Sequence, residues 1–327
     1  MTVLIITRSD DNHCVNTVMD KLAARGHKTF RFDSDRFPGE VLLSERHAGN
    51  GDIITLEDPA QGARLNLSDV SAMWYRRLAV AGRLDPAIAP ELRHPATLEA
   101  STVIGGLLAS VTAFCLDPVH KVKRASNKAL QLRVARECGL QIPATLTTNK
   151  LAEARRFREA CDGKVISKML SSFAVHDEAG REQVVFTNRF TEEDMAALDN
   201  LDLCPITLQE EIPKRLELRV TVVGGKVFCA SVDSAAMDGA DVDWRRRGLA
   251  LCDAWIPYEL PAAVRDGLLA MTRILGLHYG AADFIVHPDG RHLFLEVNPA
   301  GEFFWLDGML PLTDALADLL AGNGRRW

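Results

Sequence analysis

The stretch YGAADFIVHPDGRHLFLEVN at residues 279–298 decides the fold. Two apolar runs flank Pro288-Asp289-Gly290, a turn signal typical of antiparallel strands. If the pairing is centred on that turn, Asp283 falls opposite Glu296 or one residue away, and Asn298 shares a strand face with Glu296. Unpaired carboxylates are costly among apolar residues, and three hard oxygen donors favour Mg²⁺ or Mn²⁺. The less favoured interpretation is a solvated sheet face with scattered acids.

Length and composition limit the class of protein. The chain has 327 residues, which suits two or three compact units, and its 47% hydrophobic and 25% charged residues are ordinary for a globular protein. Its formal charge of -6 and pI near 5.9 give no reason to expect general binding to nucleic acid or to anionic membranes.

The cysteines and the apolar runs indicate a compartment. The seven cysteines are widely spaced and contain no Cys-x-x-Cys, which argues against a disulfide framework or a zinc site and favours a reducing environment. No secretory pattern opens the chain, and the longest apolar run, roughly 103–116, is too short to span a bilayer. We therefore expect a cytoplasmic protein.

The first third of the chain predicts a parallel sheet covered by helices. A buried strand at 3–6, a helix at 15–25 and a strand at 29–32 form a β-α-β unit. The turn at 7–12 lacks the glycines of a dinucleotide-binding loop, so we interpret this unit as scaffold. The character of the sequence changes near residues 116–118, where we place a domain boundary.

Two lysines are candidates for binding an anion. Lys128 opens a predicted helix over 128–138, where free backbone N–H groups gather negative charge, and Lys168 lies in a predicted short strand over 165–169. Each alone is more often an ordinary lysine. Together with the acidic hairpin they indicate a polyphosphate held between lysines and a metal, although no P-loop motif is present.

Glutamate and arginine residues supply further candidates. Glu217 and Arg219 alternate along one predicted strand and share a face, which alone most often means a structural pair. Three arginines follow one another at 245–247 in a predicted loop; such a run is usually solvated, and its alternative role is a clamp on transferring phosphate. No Gly-x-Ser-x-Gly motif is present, so nucleophilic serine catalysis is unsupported.

The order of these parts between about residues 116 and 320 resembles the ATP-grasp superfamily. That order comprises the two lysines, Gln-Glu-Glu-Ile at 209–212 and the Asp…Glu-x-Asn set. The chain more closely resembles the microviridin-type ATP-grasp peptide maturases, the graspetide synthetases, in four segments: FRFDSDRFP at 30–38, WYRR at 74–77, NKALQLRVARECGLQIPATLTTN at 127–149 and QEEIPKRLELRVTVVGGKVF at 209–228.

The resemblance implies a fold and its division. We expect an α/β chain in which a parallel-sheet pre-ATP-grasp domain at 1–116 precedes a two-subdomain α+β ATP-grasp fold. The central subdomain would span 117–205 and the C-terminal subdomain, with the metal site, 206–327. A homodimer is also what the resemblance suggests.

The resemblance also implies roles for particular residues. ATP would be bound by Lys128 and Lys168 at its phosphates, by Glu210 and the backbone of Ile212 at adenine, and by Glu217 at the ribose, with Gln209 also in the ATP site. Mg²⁺, or Mn²⁺ in its place, would be bound by Asp283, Glu296 and Asn298. Arg219 and Arg245 would steady the transferred phosphoryl group and the acyl phosphate, with Arg246 as the alternative to Arg245.

In such enzymes ATP phosphorylates an Asp or Glu side chain of a ribosomally made precursor peptide. A Thr or Ser hydroxyl, or a Lys amine, then captures the acyl phosphate and closes a ring through an ester or an amide. A leader segment is recognised apart from the reacting core, and by resemblance Glu193 and Asp194 would accept a leader arginine. The same residues are also typical of a helix cap with acids in its first turn.

Two alternatives remain open. A ligase similar to the RimK-like ATP-grasp enzymes would add an amino acid to a protein or peptide. A nucleotide-binding module would keep the fold without turnover, and the intact set of Asp283, Glu296 and Asn298 weighs against it.

Overall fold

The computed structural model describes residues 1–11, 13–85, 87–170, 187–198, 201–234 and 252–323, together with the backbone of two short strands at 174–176 and 182–184. Within this part of the chain the strands form five sheets. None of the described helices combines the length and the apolar character that a membrane span requires.

The N-terminal region is a parallel sheet between helices, with a small antiparallel sheet beside it. Its elements are β1 (Thr2–Thr7), α1 (His13–Ala24), β2 (Lys28–Asp33), β3 (Leu42–Ala48), β4 (Gly51–Asp58), β5 (Ala63–Asn66), β6 (Val70–Tyr75), α2 (Pro90–Ser110) and β7 (Phe114–Leu116). The parallel strands lie in the order β2-β1-β6-β7, and β3, β4 and β5 form the antiparallel sheet. The predicted β-α-β start is confirmed.

The alternation of side chains along β1 explains why this strand is apolar throughout. Val3 and Ile5 point to one face, where they join a core with Val15 of α1, while Leu4 and Ile6 point to the other and pack near Ile104 of α2. A strand that is buried on both faces has no polar side, as is usual in parallel sheets.

The middle of the chain carries a second mixed region. Its elements are α3 (Val119–Ala125), α4 (Lys128–Glu137), β8 (Thr145–Thr148), α5 (Leu151–Ala160), β9 (Val165–Ser167), β10 (Ala174–His176), β11 (Glu182–Val184), β12 (Asn188–Arg189), α6 (Glu192–Ala196) and β13 (Ile206–Glu210). The four-stranded sheet has the order β12-β9-β13-β8, and β10 and β11 form a separate antiparallel hairpin. The strand predicted over 165–169 is shorter than expected: it ends at Ser167, the last of its residues that pairs with β12 and β13.

The C-terminal region is a five-stranded antiparallel sheet with helices on it. Its elements are β14 (Leu216–Val223), β15 (Lys226–Val232), β16 (Ile256–Pro257), α7 (Ala262–Leu275), β17 (Tyr279–Val286), β18 (His292–Asn298) and α8 (Leu312–Leu320). The strand order is β16-β15-β14-β17-β18. Leu268, Met271 and Leu275 lie at helical spacing on α7 and are buried against this sheet, so the apolar stripe of the helix covers one sheet face.

The N-terminal and C-terminal regions share one core. Val3 and Val15 belong to the same buried cluster as Val223 of β14 and Leu316 of α8. At the edge of this contact the Arg25 side chain, just after α1, forms ion pairs with Asp314 and Asp318 of α8 at 3.2 and 2.9 Å. Helix α8 therefore holds the parallel sheet and the antiparallel sheet together.

These elements confirm the predicted fold class, an α/β chain with an N-terminal parallel sheet followed by antiparallel sheets. The subdivision at residues 117 and 206 stays a prediction. Two observations bear on how it should be drawn: β13, at 206–210, pairs with β8 and β9 of the middle sheet, and α4 packs into the core beneath the C-terminal sheet.

Candidate active site

The hairpin of β17 and β18 brings the predicted acidic set together. Asp283 pairs directly with Glu296 across the two strands, and Asn298 lies opposite Ala281. Asn298 Nδ2 lies 3.0 Å from Glu296 Oε1 and 3.5 Å from Asp283 Oδ2. The predicted hairpin register and the shared strand face are therefore confirmed, and two carboxylates and an amide lie together on the hairpin.

Two cations neutralise this spot from opposite sides. Lys128 Nζ lies 2.9 Å from Glu296 Oε2 and 3.4 Å from Asn298 Oδ1. Arg219, which pairs with Asp283 across β14 and β17, places Nη1 2.9 Å from Asp283 Oδ1 and 3.1 Å from Oδ2. The Arg219 guanidinium also lies over the Trp305 ring, with its carbon 5.4 Å from the ring centroid, which is a favourable cation–π distance.

A buried glutamine explains how Lys128 reaches the hairpin. Gln131, one turn further along α4, is fully buried; its Nε2 donates to the Val297 carbonyl at 2.8 Å and its Oε1 accepts from the Val297 amide at 3.0 Å. This pair of hydrogen bonds satisfies the free edge of β18 between Glu296 and Asn298. The start of α4, capped by the Asn127 side chain, is thereby held at the acidic set.

The charge state of Glu296 follows from its neighbours. Burial alone would raise the pKa of this carboxyl, but the positive charges of Lys128 and Lys168 outweigh burial and hold the pKa well below its ordinary value. The charge of Lys168 thus acts on Glu296, and the role of Lys168 toward ATP stays a prediction. Its backbone amide donates to the Thr207 carbonyl at 3.0 Å, which fixes the chain just after β9.

The donor set fits a divalent cation that is bound by protein side chains and by the phosphate oxygens of a nucleotide at the same time. Among the residues that the structure describes, no three His, Cys, Asp or Glu side chains converge, so the protein contributes two carboxylates and one amide. Mg²⁺ is commonly held by one or two carboxylates together with phosphate oxygens. The Asn298 amide turns Nδ2 toward the carboxylates and Oδ1 toward Lys128, and half a turn of the amide would add Oδ1 to the oxygen donors.

The predicted adenine-binding residues lie at the end of β13. Gln209 is buried and donates from Nε2 to Thr145 Oγ1 at 2.9 Å, while Glu210 Oε2 accepts from the Ala144 amide at 3.2 Å. Ile212 packs with Ile285 and Leu293 of the hairpin. The structure thus joins the segment 209–212 to the acidic hairpin through apolar contact, and its role toward adenine stays a prediction.

Glu217 and Arg219 do not require each other as partners. The carboxylate of Glu217 accepts hydrogen bonds from Lys214 Nζ at 2.7 Å and from Ser234 Oγ. Arg219, two residues further on the same strand, contacts Asp283. The pair of Glu217 with Arg219 that the sequence suggests is therefore replaced by two separate contacts. The other predicted arginines, Arg245 and Arg246, lie outside the described residues.

Glu193 and Asp194 lie in the first turn of α6. Thr191 caps this helix, since its Oγ1 accepts from the Asp194 amide at 3.1 Å and the Asp194 carboxylate accepts from the Thr191 amide and hydroxyl at 2.7 and 2.8 Å. These hydrogen bonds lower the pKa of Asp194. The helix-cap interpretation is confirmed for Asp194, whereas Glu193 is exposed and has no part in the capping box.

Comparison with known proteins gives the family. The MvdD pre-ATP-grasp domain model matches residues 2–123. The macrocyclase MdnC of Microcystis aeruginosa MRC, solved with the precursor peptide MdnA, is 40% identical over 98% of this chain and 100% of its own, with a TM-score of 0.89. The chain belongs to the RiPP-associated ATP-grasp ligases. The predicted family and fold are confirmed, RiPP denoting a ribosomally synthesised and post-translationally modified peptide.

Two further RiPP-associated ATP-grasp structures agree with this assignment. A ligase of Chryseobacterium gregarium, in complex with ADP and a leader and core peptide, is 35% identical over 99% of this chain and 98% of its own, with a TM-score of 0.95. The macrocyclase MdnB of Microcystis aeruginosa MRC is 33% identical over 98% of both chains, with a TM-score of 0.81. Comparison with curated protein sequences gave no significant match.

Sequence reasoning missed two residues that shape this ATP-grasp site. Gln131 was not distinguished from the other polar residues of its helix, although it anchors α4 to β18. Arg76 lies in the WYRR segment, and its sequence context predicts no particular partner. Its side chain is buried beside the segment that follows Asn298. The signal that would have singled out Arg76 is a charged residue directly after a buried parallel strand, where ligands and domain contacts gather.

Proposed function

We propose that this chain is an ATP-dependent carboxylate ligase that cross-links side chains of a ribosomally made precursor peptide. The observation that carries the proposal is the convergence of Lys128, Arg219, Asp283, Glu296 and Asn298 at one end of the β17–β18 hairpin. Support from the family comes from MdnC, solved with its precursor peptide, and from the Chryseobacterium gregarium ligase, solved with ADP and a leader and core peptide.

The chemistry that this site favours is activation of a carboxylate by phosphorylation. An oxygen of a peptide Asp or Glu attacks the γ-phosphorus of ATP, the bond to the leaving ADP oxygen breaks, and an acyl phosphate forms. The oxygen of a Thr or Ser side chain, or the nitrogen of a Lys side chain, then attacks the acyl carbon. Phosphate leaves with its bonding electron pair, the nucleophile loses its proton to phosphate or solvent, and an ester or amide closes the ring.

The residues of the site suit the charges of these steps. Lys128 and Lys168 would face the phosphates of ATP, and Arg219, which lies over Trp305, would be beside the transferred phosphoryl group. Asp283, Glu296 and Asn298 would hold Mg²⁺, or Mn²⁺ in its place, which when bound neutralises the charge on the phosphate oxygens. No protein nucleophile is required, so a site built from cations and metal ligands is sufficient.

The remaining assignments are parts of the same proposal. Glu210 and the backbone of Ile212 would bind adenine, with Gln209 also in the ATP site. Glu217 would bind the ribose, and Arg245 or Arg246 the acyl phosphate. The precursor leader would dock near Glu193 and Asp194. The homodimer suggested by the resemblance is tested by light scattering of the purified protein.

Mass spectrometry of a precursor peptide tests the proposal. With ATP and Mg²⁺ the peptide should lose one water for each bond formed, and each loss should be accompanied by one ADP and one phosphate. A gain in peptide mass would instead indicate the ligation of an amino acid, as in the RimK-like alternative. An unchanged peptide mass with retained ATP binding would indicate a nucleotide-binding module.

A further inference from the structure

Arg76 is a buried arginine that links the N-terminal region to the segment that follows the β17–β18 hairpin. It directly follows β6, and its side chain is 2% exposed. Its Nη1 donates to the Ala300 carbonyl at 2.8 Å and its Nη2 donates to Glu302 Oε2 at 2.6 Å. Its guanidinium carbon lies 5.7 Å from the centroid of the Phe303 ring. A charged group this deeply buried needs compensating partners, and both of its short hydrogen bonds go to the segment just after Asn298.

The position of the segment 299–302 determines the position of the Asn298 backbone. The amide of Gly301 donates to the Asn298 carbonyl at 3.1 Å, which closes a tight turn directly after the candidate metal ligand. A Cβ at position 301 would lie 2.6 Å from Ala281 Cβ and 3.2 Å from Asn298 Cβ, so glycine is needed for this close approach. The Tyr279 hydroxyl also donates to the Gly301 carbonyl at 2.6 Å. The backbone of Asn298 is thus set by a turn that β17 supports from one side and Arg76 from the other.

We propose that Arg76 is a positioning residue for the divalent cation: it fixes the turn at 298–301 so that the Asn298 amide is held beside Asp283 and Glu296. This inference rests on the metal site proposed above. Groups that orient a metal ligand without touching the metal typically change metal affinity by about 10- to 100-fold when they are removed. The N-terminal region thereby acts on the metal site across a domain contact, without contributing a ligand.

The surroundings of Arg76 allow its replacement. Asp11 lies 3.3 Å from Arg76 Nε, and both Asp11 and Glu302 are also ion-paired with the neighbouring Arg77. Removal of the Arg76 charge therefore leaves a cation beside each carboxylate. Arg76→Met keeps an unbranched apolar side chain but removes the guanidinium and its hydrogen bonds. Arg76→Lys keeps the charge without the planar fork that reaches two acceptors at once.

Arg25→Met is the matched control. Arg25 also crosses from the N-terminal to the C-terminal region, but its partners are Asp314 and Asp318 of α8 rather than the turn after Asn298. The experiment titrates Mn²⁺, as a probe for the divalent cation, into each protein at saturating ADP and measures bound Mn²⁺ by electron paramagnetic resonance. Circular dichroism checks that each variant is folded.

The expected result is a rise in the Mn²⁺ dissociation constant by about 10-fold or more in Arg76→Met, a smaller rise in Arg76→Lys, and no change in Arg25→Met. Gly301→Ala displaces the same turn without removing a charge, so it should weaken Mn²⁺ binding as well. If Arg76→Met does not fold, Arg76→Lys decides the question.

Metal affinity equal to the wild type in the Arg76 variants that fold would overturn the inference, even if Gly301→Ala weakens Mn²⁺ binding. Asp283→Ala is titrated in parallel, because loss of Mn²⁺ binding in that variant shows that the metal site itself is correctly assigned. If Asp283→Ala binds Mn²⁺ as the wild type does, the proposed metal site fails, and with it the inference about Arg76.

Discussion

Lys128 Nζ lies 2.9 Å from Glu296 Oε2, so the lysine assigned to ATP phosphates and the glutamate assigned to the metal are in direct contact. One ammonium group thus neutralises the carboxylate that a metal would otherwise neutralise. If ATP and the cation bind as proposed, Glu296 would be a ligand of the metal and the Lys128 ammonium would be available to the phosphates. ATP and the cation should therefore bind cooperatively, because the phosphates would neutralise Lys128 and the cation would neutralise Glu296.

Replacement of Lys128 tests this exchange of partners. Lys128→Met should raise the dissociation constant for ATP, measured with Mg²⁺ by isothermal titration calorimetry, by roughly 10- to 100-fold, because a hydrogen bond to a charged group contributes about 1.5–3 kcal/mol. Lys123→Met is the control, since Lys123 is exposed on α3 and away from the acidic set. Equal ATP affinity in the wild type and in Lys128→Met would contradict the phosphate role.

The metal ligands are tested by isosteric changes. Asp283→Asn and Glu296→Gln should each reduce turnover of the precursor by about 100-fold or more, because a neutral amide is a much weaker ligand for Mg²⁺ than a carboxylate. Asp289→Asn is the matched control, since Asp289 lies at the exposed turn of the same hairpin, paired with Arg291. Product is counted by mass spectrometry, and normal turnover in both site variants would remove the metal assignment.

The lowered pKa of Glu296 gives a pH-dependent contribution to stability. Its ionised form is favoured in the folded protein by Lys128 and Lys168, so the contribution is fully present above the ordinary glutamate pKa of about 4.3 and is lost as the pH falls below it. Glu296→Gln cannot ionise and lacks this dependence. The difference in the free energy of unfolding between wild type and Glu296→Gln should therefore stay constant from about pH 7 to pH 5 and shrink below about pH 4.

Urea unfolding at matched ionic strength measures this difference in stability. Asp266→Asn serves as the reference, because it removes one exposed carboxylate on α7, outside the site. A difference between wild type and Glu296→Gln that grows toward acid pH would show that burial, rather than the two lysines, dominates at Glu296.

The hairpin could be predicted because its information is local. The Pro-Asp-Gly turn sets the register from Val286 and His292 to Phe284 and Phe294, which brings Asp283 to within one residue of Glu296. A bulge between Asp283 and Phe284 then shifts the pairing by one residue, so that Asp283 meets Glu296. The β-α-β start is local for the same reason: β1, α1 and β2 follow one another, and both strands are apolar. Contacts between neighbouring elements are therefore visible in the spacing of residues.

Contacts between distant elements could not be predicted in this way. Gln131 is one polar residue among several on α4, and nothing near it in sequence shows that it bonds to Val297. The burial of Arg76 likewise depends on residues 300–303, which reach it only after both regions have packed together. The partners of a strand edge or of a buried charge are set by tertiary packing rather than by local pattern.

The leader-docking prediction can be sharpened by the capping box of α6. Asp194 stabilises the helix through Thr191, so its replacement would disturb the fold as well as any docking contact. Glu193 is exposed and free of that role, which makes Glu193→Ala the informative variant. If Glu193 accepts a leader arginine, this change should weaken leader binding by about 10-fold, as expected for the loss of a charge-assisted contact, and leave ATP affinity unchanged.

Glu192→Ala is the matched control for Glu193→Ala. Glu192 lies in the same first turn of α6 but pairs with Arg158 of α5, so its loss removes the same charge at a neighbouring position. Fluorescence anisotropy of a labelled leader peptide measures binding, and calorimetry with ATP gives the second readout. Equal weakening by both variants would indicate a general effect of negative charge on α6, whereas weakening confined to Glu193→Ala would support a specific contact with the leader. Unchanged leader binding in Glu193→Ala would move the docking site away from this residue.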